Sequence, residues 1–361
     1  MKAMLLTAGV GRRMLPLTLT LPKPAVPVLG RSLAVQNLRW LGAAGVTEAV
    51  LNLHHLPQGI TRILGSGRNA GLPLVQYSHE QVLLGTAGGI RHAGPLLIGD
   101  GPVVVCNSDF LADIDLAAVL EAHLASDCLA TLVLVPWRPT YTVVLRDEDG
   151  RITALGGAPP ADAERAGARW LFTGCHIIDE TVIDLIPEDG PSCIVRDVYR
   201  PLAAQGRLGS FTHTGFWWEF GSPESYLDGC LGLLDHPPDE LNRISTDHDP
   251  IRKLGSATAA VGPGSGFDPS AEFAGRVALG YSSYVSENSR IEDAVIMPEA
   301  WVGPGCSLKR SVVAQGVELP AGFRSEGQLI CLEAATPVEL PPATRRQGGM
   351  LVHSFATHGC G

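Results

Sequence analysis

Short apolar runs alternate with amphipathic stretches over the first two thirds of the chain. Ala3 to Thr7 is the first apolar run, and it stops at Gly9 and Gly11, which predicts a buried strand ending in a tight loop. Leu33 to Ala44 carries apolar residues at helical spacing, and Thr47 to Leu53 reads as a strand, so the opening is a βαβ unit. The alternation continues with a helix near Leu56 to Leu64, a strand at Leu72 to Tyr77, and a glycine-rich turn at Leu84 to Gly89 ahead of a helix from Ile90. Buried strands are predicted at Gly101 to Cys106, Leu129 to Pro136 and Trp170 to Ile178, with shorter strands and turns from Tyr141 to Leu155. Gly156 to Gly167, rich in Ala, Pro and Gly, reads as a loop, and helices are predicted at Ile194 to Gln205 and from Pro223 to Leu234. Units of this kind build a Rossmann-like mixed, mostly parallel sheet, in which ligands sit at the carboxyl ends of the strands.

Asp235 to Pro250, rich in Asp, Pro and His, reads as a connection, and beyond Val261 the texture changes. Isolated aliphatics recur at Val285, Ile291, Ile296, Val302, Leu308, Val313 and Leu319, at intervals of six, five, six, six, five and six. This near-hexad rhythm resembles a left-handed parallel β-helix of about four coils, in which one aliphatic per face fills each triangular coil. The last 30 or so residues show no period and are expected to form a loose tail. The expected organisation is α/β, with an α/β domain over 1–235, a linker over 236–256, a short β-helix over 257–330 and a tail over 331–361.

Charge and cysteine usage exclude several partners. A formal net charge of −10 argues against nucleic acid or an anionic membrane as the general partner, so any anion must be met by a local basic site. No apolar run reaches the length needed to span a bilayer, and the first residues lead directly into the glycine loop; a cytoplasmic location is the expectation. The eight cysteines, at 106, 128, 175, 193, 230, 306, 331 and 360, have no CxxC spacing, which suits reduced thiols better than a disulfide scaffold or a zinc site. His353, His358 and Cys360 are too sparse to read as metal ligands.

The local basic site is the opening stretch itself. Two glycines let backbone N–H groups approach an anion, while Arg12, Arg13 and Lys23 supply positive charge. It is neither a P-loop, since no GKS or GKT follows, nor a dinucleotide fingerprint, since the third glycine is missing. The whole string, G-x-G-x-R-x-x-P-L-T followed by P-K-P, falls on Gly9, Gly11, Arg13, Pro16, Leu17, Thr18, Pro22, Lys23 and Pro24. It resembles the signature of the sugar-phosphate nucleotidyltransferases. With its β-helix the chain is similar to mannose-1-phosphate guanylyltransferases, and its α/β part is also similar to N-acetylmuramate-1-phosphate uridylyltransferase.

That resemblance implies a site. The backbone at Ala8, Gly9, Gly11 and Arg12 would bind the nucleotide, Arg13 the leaving pyrophosphate, and Lys23 the charge building on the α-phosphate. Leu84-Gly85-Thr86-Ala87-Gly88 resembles the family's base loop, so Glu80 and Gly85, Thr86, Ala87 and Gly88 would read the base. Asn107-Ser108-Asp109 ends a central strand where the family has a Gly-Asp pair, which places Asp109 to hold Mg²⁺. Trp217-Trp218-Glu219-Phe220-Gly221-Ser222-Pro223 resembles W-x-D-x-G-T-P and makes Glu219 the second metal ligand, with Glu for Asp and Ser222 for Thr. Asn107, Gly174 and Arg169 would meet the sugar phosphate; the family's Glu-Lys-Pro triplet is absent, and Arg169 or Arg196 are the candidates to replace its Lys. His176 reads as a core or pocket-wall histidine rather than an acid or base.

The activity implied is nucleotidyl transfer from an NTP to a sugar 1-phosphate, with GTP and mannose 1-phosphate as the first pair. Alternatives are a UTP- or dTTP-dependent transferase acting on another sugar 1-phosphate, and a non-catalytic nucleotide-sugar-binding subunit. Acyl transfer on the β-helix would need a histidine base, and none lies between His248 and His353, so the β-helix is expected to serve packing or homo-oligomer formation.

Overall fold

A computed structural model of the chain describes residues 1–68, 71–156, 169–334 and 339–355. It divides into two compact units, one of residues 1–9 and 37–217, the other of residues 10–36 and 218–361.

The first unit is a nine-stranded sheet. In chain order its strands are β1 (Lys2–Leu6), β2 (Glu48–Leu53), β3 (Leu74–His79), β4 (Val103–Asn107), β5 (Ala130–Pro136), β6 (Val144–Arg146), β7 (Ile152–Leu155), β8 (Trp170–Ile178) and β9 (Leu208–Thr212). They lie in the order β7-β6-β8-β4-β1-β2-β3, with β5 paired to β8 and β9. β1 is parallel to β2 and β4, β2 to β3 and β5 to β9, whereas β8 runs antiparallel to β4 and β5. Ala3, Met4 and Leu5 are fully buried, as a strand covered on both faces requires. Helix α1 (Gly85–Leu97) lays Ala87, Ile90, Ala93 and Leu97 into this core. It begins five residues before the predicted start at Ile90, so the glycine-rich run is its first turn rather than a preceding loop. The predicted helix at Ile194 to Gln205 is a π-turn over Ile194–Tyr199 followed by a short α-helix, Arg200–Ala204. The loop predicted from Gly156 to Gly167 lies, beyond Gly156, outside the described residues.

His176 belongs to this core. Its ring lies 5.4 Å from both Phe172 and Tyr199, and neither ring nitrogen finds a hydrogen-bond partner among the described residues. Burial pushes its pKa down to about 3, so the ring is neutral near pH 7. The seven described cysteines are free thiols. Cys106 and Cys175 face each other across β4 and β8 at 3.5 Å, and burial pushes the Cys106 thiol well above its usual range.

The second unit carries the β-helix. Val285 pairs with Val302 and Val302 with Leu319; Ile291 pairs with Leu308; Ile296 pairs with Val313 and Val313 with Ile330. These pairings advance 17 residues per coil, whereas Phe267 with Val285 and Phe273 with Ile291 advance 18, and the seven aliphatics of the sequence rhythm are all at most 3% exposed. Gly303 and Gly280 sit where a Cβ would lie 2.4 Å from backbone of the next coil. The segment expected as a linker holds a helix, Pro238–Ile244, and a strand, Ile251–Leu254, antiparallel to Ala257–Val261. The described part of the tail is not loose. Thr344–Gln347 and Met350–Ser354 form a hairpin that adds antiparallel to Gln328–Leu332 and buries Met350, Leu351 and Val352. A hairpin has no hexad period, which is why the repeat pattern does not reveal it. Among the described residues no helix is long and apolar enough to cross a membrane.

Candidate active site

In the second unit the signature residues fold back on one another. Gly11 has φ +67, and a Cβ there would lie 2.9 Å from Thr18 Cγ2 and 3.4 Å from Lys23 Cβ. Thr18 Oγ1 donates to Gly11 O (3.1 Å), and Met14 N donates to the same carbonyl (2.8 Å). The spacing of the string thus has a steric reason: the left-handed glycine lets Thr18 and Lys23 close against the loop. Lys23 opens a 3-10 turn, Lys23–Ala25, between Pro22 and Pro24, and is only 9% exposed. Arg12 and Arg13 are exposed, and Gly9 is exposed in the other unit. Arg13 Nη2 donates to Glu219 Oε1. Ser222 caps the helix Pro223–Leu233 through a reciprocal pair with Ser225, at 3.2 Å and 2.9 Å, as its N-cap position predicts.

In the first unit, the candidate base residues form one bed. Gly85 has φ +74, and a Cβ there would lie 2.5 Å from the backbone oxygen of Ser192. Ala87 N donates to that oxygen (3.1 Å), Ser192 N donates to Leu84 O (2.8 Å), and Thr86 Oγ1 accepts from Ile194 N (2.9 Å). Ser192 was not among the residues singled out from sequence, because nothing local marks a serine more than 100 positions away as the support of Gly85. Glu80 is 6% exposed; its Oε1 accepts from Asn52 Nδ2 (2.7 Å) and its Oε2 from Leu84 N (2.9 Å). Gly85→Ala combines a forbidden backbone conformation with a backbone clash. The variant should lose about 2 kcal/mol of unfolding free energy, read by urea denaturation, and raise the nucleotide KM.

Asn107 and Gly174 also meet. Gly174 has φ +83, sits in a register shift between Phe172 and His176, and would place a Cβ 2.5 Å from Asn107 Nδ2. A bulge of this kind beside a strand end re-aims the neighbouring groups. Ser108 Oγ donates to Leu6 O (2.6 Å), which ties the Asp109 turn to the end of β1. The Arg169 guanidinium lies 5.6 Å from the Trp137 ring centroid, and Arg196 is paired with Asp197 (2.7 Å). Asp109 and Glu219 carry the hard carboxylate oxygens that suit Mg²⁺. Among the described residues no group of three or more His, Cys, Asp and Glu side chains is clustered for a metal ion.

A mostly parallel α/β sheet whose first strand runs into a basic glycine loop, joined to a hexapeptide-type β-helix, defines a phosphate-handling α/β protein with a repeat domain. Residues 2–236 match the family described as Nucleotidyl transferase, and residues 270–325 match GlmU-like, C-terminal hexapeptide. The chain belongs to the nucleotidyl transferase family and is an enzyme of the nucleotidyltransferase class. It is 28% identical to a mannose-1-phosphate guanylyltransferase of Mycobacterium tuberculosis over 85% of this chain and 83% of that protein. It is 33% identical to a mannose-1-phosphate guanyltransferase of Candida albicans over 64% of this chain and 65% of that protein. With the mannose-1-phosphate guanylyltransferase catalytic subunit beta of Dictyostelium discoideum the identity is 30%, over 73% and 70%.

Proposed function

We propose that the enzyme transfers a nucleotidyl group from GTP to mannose 1-phosphate, giving GDP-mannose and pyrophosphate. The observation that carries this reading is the closure of Lys23 and Thr18 on Gly11 in a chain whose relatives bear that activity in their names. An oxygen of the sugar phosphate attacks the α-phosphorus, the new O–P bond forms, and the bond to the β-phosphate oxygen breaks. The attacking oxygen is already anionic, so no side chain need remove a proton, and catalysis reduces to positioning and charge stabilisation. Lys23 stabilises charge on the α-phosphate, Arg12 and Arg13 meet the leaving pyrophosphate, and backbone N–H groups of the Ala8 to Gly11 stretch meet the remaining phosphate oxygens. Gly85 to Gly88 with Glu80 read the base; Asn107, Gly174 and Arg169 meet the sugar phosphate. Asp109 would hold Mg²⁺, which when bound neutralises phosphate charge; Glu219, the other candidate, holds Arg13 in this structure. We place homo-oligomer formation on the β-helix, where Trp301 is 49% exposed and stacked on Tyr284 at 4.7 Å.

The test is pyrophosphate release with Mg²⁺ over a grid of NTPs and sugar 1-phosphates. Release highest with GTP and mannose 1-phosphate is the expected result. Preference for UTP or dTTP with another sugar phosphate would replace the substrate pair while leaving the reaction. Silence across the grid, from protein that still binds a nucleotide sugar, would overturn the catalytic reading.

A further inference from the structure

Three nearly buried side chains join the ends of adjacent strands in the first unit. Thr7, Asn52 and Glu80 are 2%, 3% and 6% exposed. Thr7 N donates to Asn52 Oδ1 (2.8 Å), and Thr7 Oγ1 donates to Asn52 O. On its other side Asn52 Nδ2 donates to Glu80 Oε1 (2.7 Å), and Glu80 Oε2 accepts from Leu84 N (2.9 Å). The backbone of Glu80 is held as well, its N–H by Leu53 O (2.8 Å) and its carbonyl by His54 Nδ1 (3.0 Å). Gly89 leaves room for the pair, since a Cβ there would lie 2.7 Å from Glu80 Oε1 and 2.8 Å from Asn52 Nδ2.

Only an amide satisfies both neighbours of Asn52. An N–H must be met by the oxygen and a carboxylate by the NH₂, so the partners fix the amide's orientation. Thr7 directly precedes Ala8 and Gly9, and Leu84 directly precedes Gly85. The chain of bonds therefore runs from the strand end that leads into the phosphate loop to the first turn of the helix that carries the base residues. The backbone ladders that pair Leu5 with Leu51 and Leu53 with His79 bring the strand ends side by side, and the side chains of Asn52 and Glu80 carry the connection beyond them to Thr7 N and Leu84 N.

We infer that Asn52 is a positioning residue for nucleotide binding, which holds the Thr7 strand end and the Leu84–Gly85 turn in register through Glu80. This rests on the reading that these two segments bind the nucleotide. Asn52→Asp makes the role measurable, because the new carboxylate keeps the acceptor for Thr7 N but faces Glu80 Oε1 with like charge. Two carboxylates at hydrogen-bond distance share a proton, so the clasp is broken when both are ionised and remade as pH falls.

The dissociation constant of GTP is to be measured calorimetrically for the wild-type chain and for Asn52→Asp between pH 8 and pH 6. The expected result is a weakening of about tenfold or more at pH 8, recovering towards the wild-type value at pH 6, while the wild type changes little. Equal affinities at pH 8, or a loss that pH does not restore, would overturn the positioning role. If Asn52→Asp does not fold, hydrogen exchange of the wild-type chain decides. The Thr7 and Leu84 amides should gain protection together when GTP binds, and protection at only one of them would overturn the inference. Failure of the wild type to bind any NTP would remove the functional reading along with it, an outcome distinct from a wild type that binds and a variant that binds equally well.

Discussion

Lys23→Ala should lower turnover roughly 10³-fold, with a much smaller change in nucleotide affinity and no loss of folded protein. The ammonium of a lysine that is 9% exposed acts where solvent screens little, so its interaction with a phosphate is stronger than on an open surface. Charge on the α-phosphate grows as the acceptor oxygen approaches, so the loss falls mainly on the transition state. The fold should survive because the turn is built by backbone: Ala25 N donates to Pro22 O (2.8 Å), Val26 N to Lys23 O (3.1 Å), and Pro22 and Pro24 preset the chain on either side. Single-turnover kinetics with GTP and mannose 1-phosphate, beside a urea midpoint, separates the two effects. A variant with wild-type turnover would take Lys23 out of the chemistry. Lys23→Arg should not restore full activity, since a planar guanidinium does not reproduce a compact ammonium in a confined turn.

The largest effect on stability is expected at His176 as the solution is acidified. Its pKa falls from 6.5 to about 3 in the folded protein, because burial disfavours the charged ring. Between these values the unfolded chain binds a proton that the folded chain does not, so stability present above pH 6.5 is lost as pH falls. The loss amounts to about 1.4 kcal/mol per pH unit, or about 3 kcal/mol at pH 4. His176→Phe keeps an aromatic ring between Phe172 and Tyr199 and removes both unpartnered nitrogens. Its urea midpoint should match or exceed that of the wild type at pH 7 and should fall less between pH 7 and pH 4. Parallel acid losses in the two proteins would assign the acid sensitivity to other groups.

Much of the fold was legible because its signals are local and periodic. The strand at Lys2–Leu6, the strand at Val103–Asn107 and the aliphatic rhythm from Val285 to Leu319 are continuous in the chain. The signature string from Gly9 to Pro24 was legible for a related reason: Gly11, Thr18 and Lys23 meet within one short loop, so their spacing is a direct image of their contacts. The start of the helix at Gly85 was not legible, because glycines ordinarily mark turns and only the carbonyl of Ser192 makes Gly85 and Ala87 a first helical turn. The terminal hairpin was not legible because antiparallel addition to Gln328–Leu332 follows no repeat.

By itself the sequence determined the α/β alternation, the β-helix, the phosphate-type loop and the identity of the residues that carry charge, since each depends on neighbours within a few positions. The tertiary structure alone decided that Glu80 is bound by Asn52 and Leu84 and that Glu219 holds Arg13, and it placed the ring of His176, already read as a core or pocket-wall histidine, between Phe172 and Tyr199. Asn52 and Glu80 stand 28 positions apart in the chain, and Arg13 and Glu219 stand 206 apart. No residue's own type or spacing encodes such distant partners; packing of the whole chain brings them within hydrogen-bond reach and sets which groups lose their water.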